Sequence, residues 1–108
     1  MRPALLDECV PWRLQKELLG NAISHVRDEG WTGQRNGALL RLMRENGFAV
    51  LVTVDRNLTY QQNVAAAGIA VIVLHARGNR LADLVPLVPA LREALATAPV
   101  GQVTNVGV

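Results

Sequence analysis

Apolar residues fall in short runs, separated by longer stretches in which they recur at helical spacing. Pro3-Ala4-Leu5-Leu6 reads as a short buried strand closed by Asp7. Pro11 suits a first helical turn, and a helix follows through Leu14, Leu18 and Leu19 to Gly20. Ala22-Ile23-Ser24-His25-Val26 is a weaker strand with some alternation, and residues 28–35 are rich in turn formers. Asn36 caps a helix carrying Leu39, Leu40, Leu42 and Met43, which stops near Asn46-Gly47.

The run from Phe48 to Val54 is the strongest strand signal, continuous and rich in β-branched residues, as in a strand covered on both faces. Thr59-Tyr60-Gln61-Gln62 has capping-box spacing and opens a helix to Ala67-Gly68. Ile69 to Leu74 is the next buried strand. Arg80 to Thr97 reads as a longer helix that Pro86 and Pro89 bend or break at its start. Strands alternating with helices predict a three-layer α/β fold: a central, mostly parallel sheet of four to five strands, helices on both faces, and right-handed crossovers. The chain reads as a single domain over residues 1–108, with a core of about residues 3–97 and an edge strand or tail at 99–108.

Composition narrows the class. Of 108 residues, 50% are apolar and 19% charged, which is globular and not disordered. Cys9, the single cysteine, has no partner for an intramolecular disulfide, and no Cys/His cluster suggests zinc. No apolar run reaches membrane-spanning length, and Asp7 and Glu8 interrupt the N-terminus before a signal-peptide core develops, so a cytoplasmic location is expected. The net charge is only +2, so the placement of the charges matters more than their sum.

In open α/β sheets ligands bind beyond the carboxyl ends of the strands. Asp7-Glu8, Asp28-Glu29 and Asp55 all follow predicted strands, so five of the nine acids face one edge, and Asn36 points to it too. Gathered carboxylates repel unless a cation compensates, and an all-oxygen set favours Mg²⁺ or Mn²⁺. Such an ion activates water and stabilises charge on a phosphodiester. Against this stands the capping and turn role that Asp and Glu commonly fill after strands. Asp7 and Asp55 together favour function, because both directly follow apolar strands.

The basic side chains are ten arginines and Lys16. Arg13, Arg27, Arg35, Arg56, Arg77 and Arg80 lie near the predicted edge loops, where a guanidinium suits phosphate. The alternative is a coding bias toward arginine with the side chains solvating the surface, which suits Arg41, Arg44 and Arg92 at least as well. Tyr60 suits base stacking, and Gln61, Gln62 and Asn63 suit contacts to base edges or sugar; satisfying loop carbonyls is the alternative, of equal weight for Gln61 and Asn63. Trp12 and Trp31 read as packing anchors rather than base platforms. His25 reads as a histidine satisfied in place, and Cys9 as a small buried residue.

Four blocks carry a resemblance: Leu5-Leu6-Asp7-Glu8-Cys9-Val10-Pro11, Val26 to Gly33, Asn36 to Leu40, and Val52-Thr53-Val54-Asp55-Arg56-Asn57-Leu58. In order and spacing they resemble the short PIN-like proteins, small relatives of the VapC-type toxin ribonucleases. The resemblance implies a PIN fold with a Mg²⁺ or Mn²⁺ site made by acids at strand ends. It sets Asp7 at the first acid of these nucleases and Asp55 at the acid after the Val-Thr-x-Asp strand. Asn36 and Gly37 stand where relatives carry Asp and often Glu, which implies recruitment of Glu8 or Asp28, weaker metal binding, or lost catalysis.

The reading that follows is a metal-dependent endoribonuclease, the toxin of a toxin–antitoxin pair. Asp7, Asp28, Asn36 and Asp55 are its catalytic set, and Asp7, Glu8, Asp28 and Asp55 its metal ligands. Arg13, Arg35, Arg56, Asn57, Tyr60 and Gln62 would contact RNA. A cognate antitoxin protein and a homodimer are the expected partners, with no membrane. The second reading is a catalytically weak or inactive module that binds RNA or a protein. A phosphoacceptor receiver domain is set aside, because it needs a lysine at a late strand end and the only lysine is Lys16.

Overall fold

The structure, a computed structural model, describes residues 2–34, 36–56 and 60–107, with the backbone alone for Asn36 and residues 60–63. Among the described residues, five strands form one sheet: β1 (Ala4–Leu6), β2 (Ile23–His25), β3 (Val50–Thr53), β4 (Ala70–Leu74) and β5 (Val103–Val106). The order is β2-β1-β3-β4-β5 and every pairing is parallel. The predicted α/β class holds, and residues 99–108 supply an edge strand. The core therefore runs past residue 97, since Ala98 and Val106 are both buried in it.

The all-apolar central strands divide their side chains between two faces by simple alternation. Ala4, Leu6, Val50, Val52, Ala70, Ile72 and Leu74 lie on one face. Leu5, Leu51, Val71 and Val73 lie on the other. Helices α1 (Asn36–Glu45) and α2 (Tyr60–Ala67) cover the second face through Leu39, Leu40, Met43 and Val64. The first face is covered by a 3-10 helix, Trp12–Leu18, through Leu14 and Leu18, and by α3 (Leu81–Leu84) and α4 (Val88–Thr97) through Leu84, Leu91 and Leu95.

Two expectations change. The segment after Pro11 is 3-10 rather than α-helical, and the guanidinium of Arg92 donates to the carbonyls of Glu17 and Leu19 at its end. The predicted helix over 80–97 is divided into α3, a 3-10 turn Val85–Leu87 and α4, with Pro86 and Pro89 each in the first turn of a new segment. The crossovers also depart from a uniform hand. The first leads from β1 to β2 and the last from β4 to β5, in opposite directions across the sheet, yet both pack on the same face. They therefore have opposite hands. The short 3-10 helix leaves Ile72, Leu74 and Val106 on that face to be covered, and α4 covers them.

Candidate functional site at the β1–β3 edge

The chain leaves β1 toward β2 on one side and later places β3 on the other side of β1. The strand order thus reverses between β1 and β3, and the crevice beyond their carboxyl ends is where open α/β sheets bind ligands. Asp7 sits there. It extends β1 by one residue, its N–H donating to the Val52 carbonyl of β3 at 2.9 Å.

Asp7 is only 7% exposed, and an ionised carboxylate withdrawn from water needs donors. The chain supplies them locally and across the sheet. The Glu8 N–H donates to Oδ1 at 2.9 Å, and the Thr53 hydroxyl donates to Oδ2 at 2.9 Å. The Cys9 thiol donates to the same Oδ2 at 3.7 Å and lies 3.4 Å from Thr53 Oγ1. Thr53 in turn accepts the Asp55 N–H at 3.0 Å. One fully buried hydroxyl therefore joins the acid after β1 to the backbone of the acid after β3. Burial pushes the Cys9 thiol above its ordinary pKa, against the lowering pull of its hydrogen bonds to Thr53 and the Val54 backbone.

Sequence reading missed Thr53 as a site residue and took Cys9 for a packing residue. A signal for Thr53 was present: it is the lone hydroxyl in the apolar run from Phe48 to Val54.

The remaining candidates are placed as follows. Asp55 is exposed beyond β3, and Glu8 is exposed beside Asp7. Asp28 lies beyond β2, one strand further out. Its Oδ1 accepts from Trp12 Nε1 at 2.8 Å and its Oδ2 from the His25 N–H at 3.2 Å, so it ties the 3-10 helix to the β2 loop. The indole N–H holds its carboxyl below the usual range. Trp12 is 41% exposed with Arg27 stacked 5.2 Å from its ring, so it is a surface clamp rather than a buried anchor. Trp31 does pack inside, edge-on to Phe48. His25 is satisfied in place: its Nε2–H donates to the Val10 carbonyl and its Nδ1 accepts the Arg27 N–H, which assigns its tautomer.

Arg13 is exposed on the 3-10 helix, as is Lys16. Arg56 is exposed beyond β3, its Nη2 donating to the Ala76 carbonyl at 3.0 Å. Arg35 and Asn57 lie outside the described residues, as do the side chains of Asn36, Tyr60 and Gln62.

Among the described residues, no group of three or more His, Cys, Asp or Glu side chains is arranged to hold a metal. The fold brings the Asp55 backbone to Thr53 beside Asp7, while the Asp28 carboxylate accepts from Trp12 and the His25 N–H. Two carboxylates still fit the donor chemistry of Mg²⁺, which is commonly held by one or two carboxylates with waters and substrate phosphates. Asp7 Oδ1 has acceptor capacity beyond the Glu8 N–H. Among the described residues, no helix is long and apolar enough to cross a membrane. The chain was compared with family models, with curated proteins and with solved structures, and none of the three comparisons gives a match.

Proposed function

We propose that the protein is a metal-dependent endoribonuclease of the PIN-like kind, working in the cytoplasm as the toxin of a toxin–antitoxin pair. The observation that carries this reading is Asp7, a buried carboxylate at the point where strand order reverses, joined through Thr53 to the neighbouring strand end that bears Asp55. Asp7 and Asp55 would hold Mg²⁺ or Mn²⁺. When bound, the ion would supply Lewis-acid stabilisation of charge on the scissile phosphate and lower the pKa of a water.

The chain's own part is positional. Glu8 N–H and the Thr53 hydroxyl orient the Asp7 carboxylate without occupying all of its lone pairs. Arg56, three residues past β3, carries positive charge beside the crevice for the RNA backbone.

The test uses highly purified protein and single-stranded RNA. Asp7→Asn, which keeps the size of the side chain, is expected to abolish cleavage while the circular dichroism spectrum is retained. Unchanged cleavage would sink the assignment. A second reading, a non-catalytic module binding RNA or protein, is supported by the lack of a three-acid group among the described residues. Calorimetric titration with Mn²⁺ separates the two, since the module would give no binding heat.

A further inference from the structure

We propose that the cleft beyond the carboxyl ends of β3 and β4, lined by Arg56, Arg77 and Asn79, is an oxyanion subsite for a backbone phosphate of the nucleic acid. It rests on the phosphodiester reading of the neighbouring Asp7 crevice and adds to it a second phosphate contact.

The placement follows from register. β3 and β4 are adjacent and parallel, with Thr53 paired to Val73. Arg56 lies three residues past the end of β3 and Arg77 three past the end of β4. That register sets Arg56 level with Ala76, the residue before Arg77, so both arginines lie beyond the same edge and line one cleft. There the cleft has a volume of about 350 Å³, also lined by Val54, Leu74 and Ala76, and among the described residues no acidic side chain lines it. Two arginines sharing one concavity repel, and an anion between them relieves the repulsion.

The cleft is built before any ligand arrives. The Arg56 guanidinium is held by the Ala76 carbonyl, a bond that uses one of its five N–H donors. The loop that follows is folded tightly onto α3. A side chain at Gly78 would meet Asp83 Oδ2 at 2.7 Å, and that same carboxylate oxygen accepts the Arg80 N–H. Arg77 and Asn79 flank this point. Their backbone is thus set by contacts that involve no ligand, and little ordering is left for binding to impose.

A phosphate could come from RNA or from solution, and two arms of one experiment distinguish them. Wild type and Arg77→Ala, an exposed position, are titrated in EDTA with a fluorescein-labelled single-stranded RNA followed by anisotropy. Arg77→Ala is expected to weaken binding about tenfold and to reduce the slope of log affinity against log salt by about 0.7. Inorganic phosphate is titrated in parallel into ¹⁵N-labelled protein. It is expected to shift the amide signals of residues 77–79 in wild type and not in Arg77→Ala.

Phosphate binding with RNA affinity unmoved by Arg77→Ala would make this a free-anion site and overturn the nucleic-acid assignment. No response in either arm would overturn the subsite altogether. EDTA removes cleavage from the measurement. RNA binding through Arg77 in a protein that never cleaves RNA leaves the subsite standing and removes the nuclease. Cleavage that needs Asp7, with RNA affinity indifferent to Arg77, does the reverse.

Discussion

The Thr53 hydroxyl donates to Asp7 Oδ2 at 2.9 Å while accepting the Asp55 N–H at 3.0 Å. A residue with no solvent exposure thereby fixes the geometry of the crevice on both sides of the strand-order reversal. Replacing it by valine preserves the shape but strips a donor from a buried carboxylate. Thr53→Val is expected to lower stability by about 1–3 kcal/mol, the cost of a buried group left unmatched. Thr53→Ser should recover most of it. Urea denaturation of the two variants checks this, and a Thr53→Val protein as stable as wild type would show that the bond is not holding Asp7.

Cys9 should be a slow thiol. Burial raises its pKa, so the thiolate fraction at neutral pH lies below that of a free cysteine. Iodoacetamide labelling in EDTA is expected to run slower than for glutathione at pH 7.5. The rate should still climb at a pH where an ordinary thiol, near 8.5, has levelled off. Labelling as fast as the free thiol would contradict the observed packing.

Asp28 links Trp12 to acid stability. Its carboxyl is held below the ordinary value of about 3.9, chiefly by the Trp12 indole N–H. A native pKa below the unfolded one contributes stability that is fully present above the unfolded value and is lost as pH falls through the native one. Trp12→Phe removes the donor and should raise the Asp28 pKa toward the ordinary value. Carboxyl NMR titration measures that shift directly. Wild type should then lose its stability advantage over Trp12→Phe below about pH 4. An Asp28 titration identical in the two proteins would dismiss the link.

Two glycines should respond to alanine in opposite directions. Gly37 is helical in α1, and a Cβ there meets nothing within 4 Å. Gly37→Ala is expected to stabilise by about 0.5–1 kcal/mol, by restricting the unfolded chain. Gly107 has φ +89°, and a Cβ there would press into the His75 carbonyl and the Leu87 side chain. Gly107→Ala should destabilise by about 1–3 kcal/mol and loosen β5, whose last residue Val106 accepts the His75 N–H. Thermal melts of the two variants falling on the same side of wild type would refute the contrast.

By itself the sequence determined the element order, the parallel α/β class and the position of Asp7 at the end of the first strand. These depend on local signals: apolar runs, a period of two or of 3.6, and turn residues that end them. From the sequence His25 also reads as satisfied in place, and the fold supplies the partners, the Val10 carbonyl 15 residues away and the Arg27 N–H. Only the tertiary structure decided that β3, not β2 alone, flanks β1, and so that Asp7 meets Thr53 and, through it, Asp55. That contact joins residues 46 positions apart. It depends on which faces of the strands remain to be covered once the helices pack, a property of the whole core. The same cause turned α4 onto the face of the 3-10 helix, and set Asp28 beyond β2, one strand further out than Asp7, where Trp12 takes up its carboxylate.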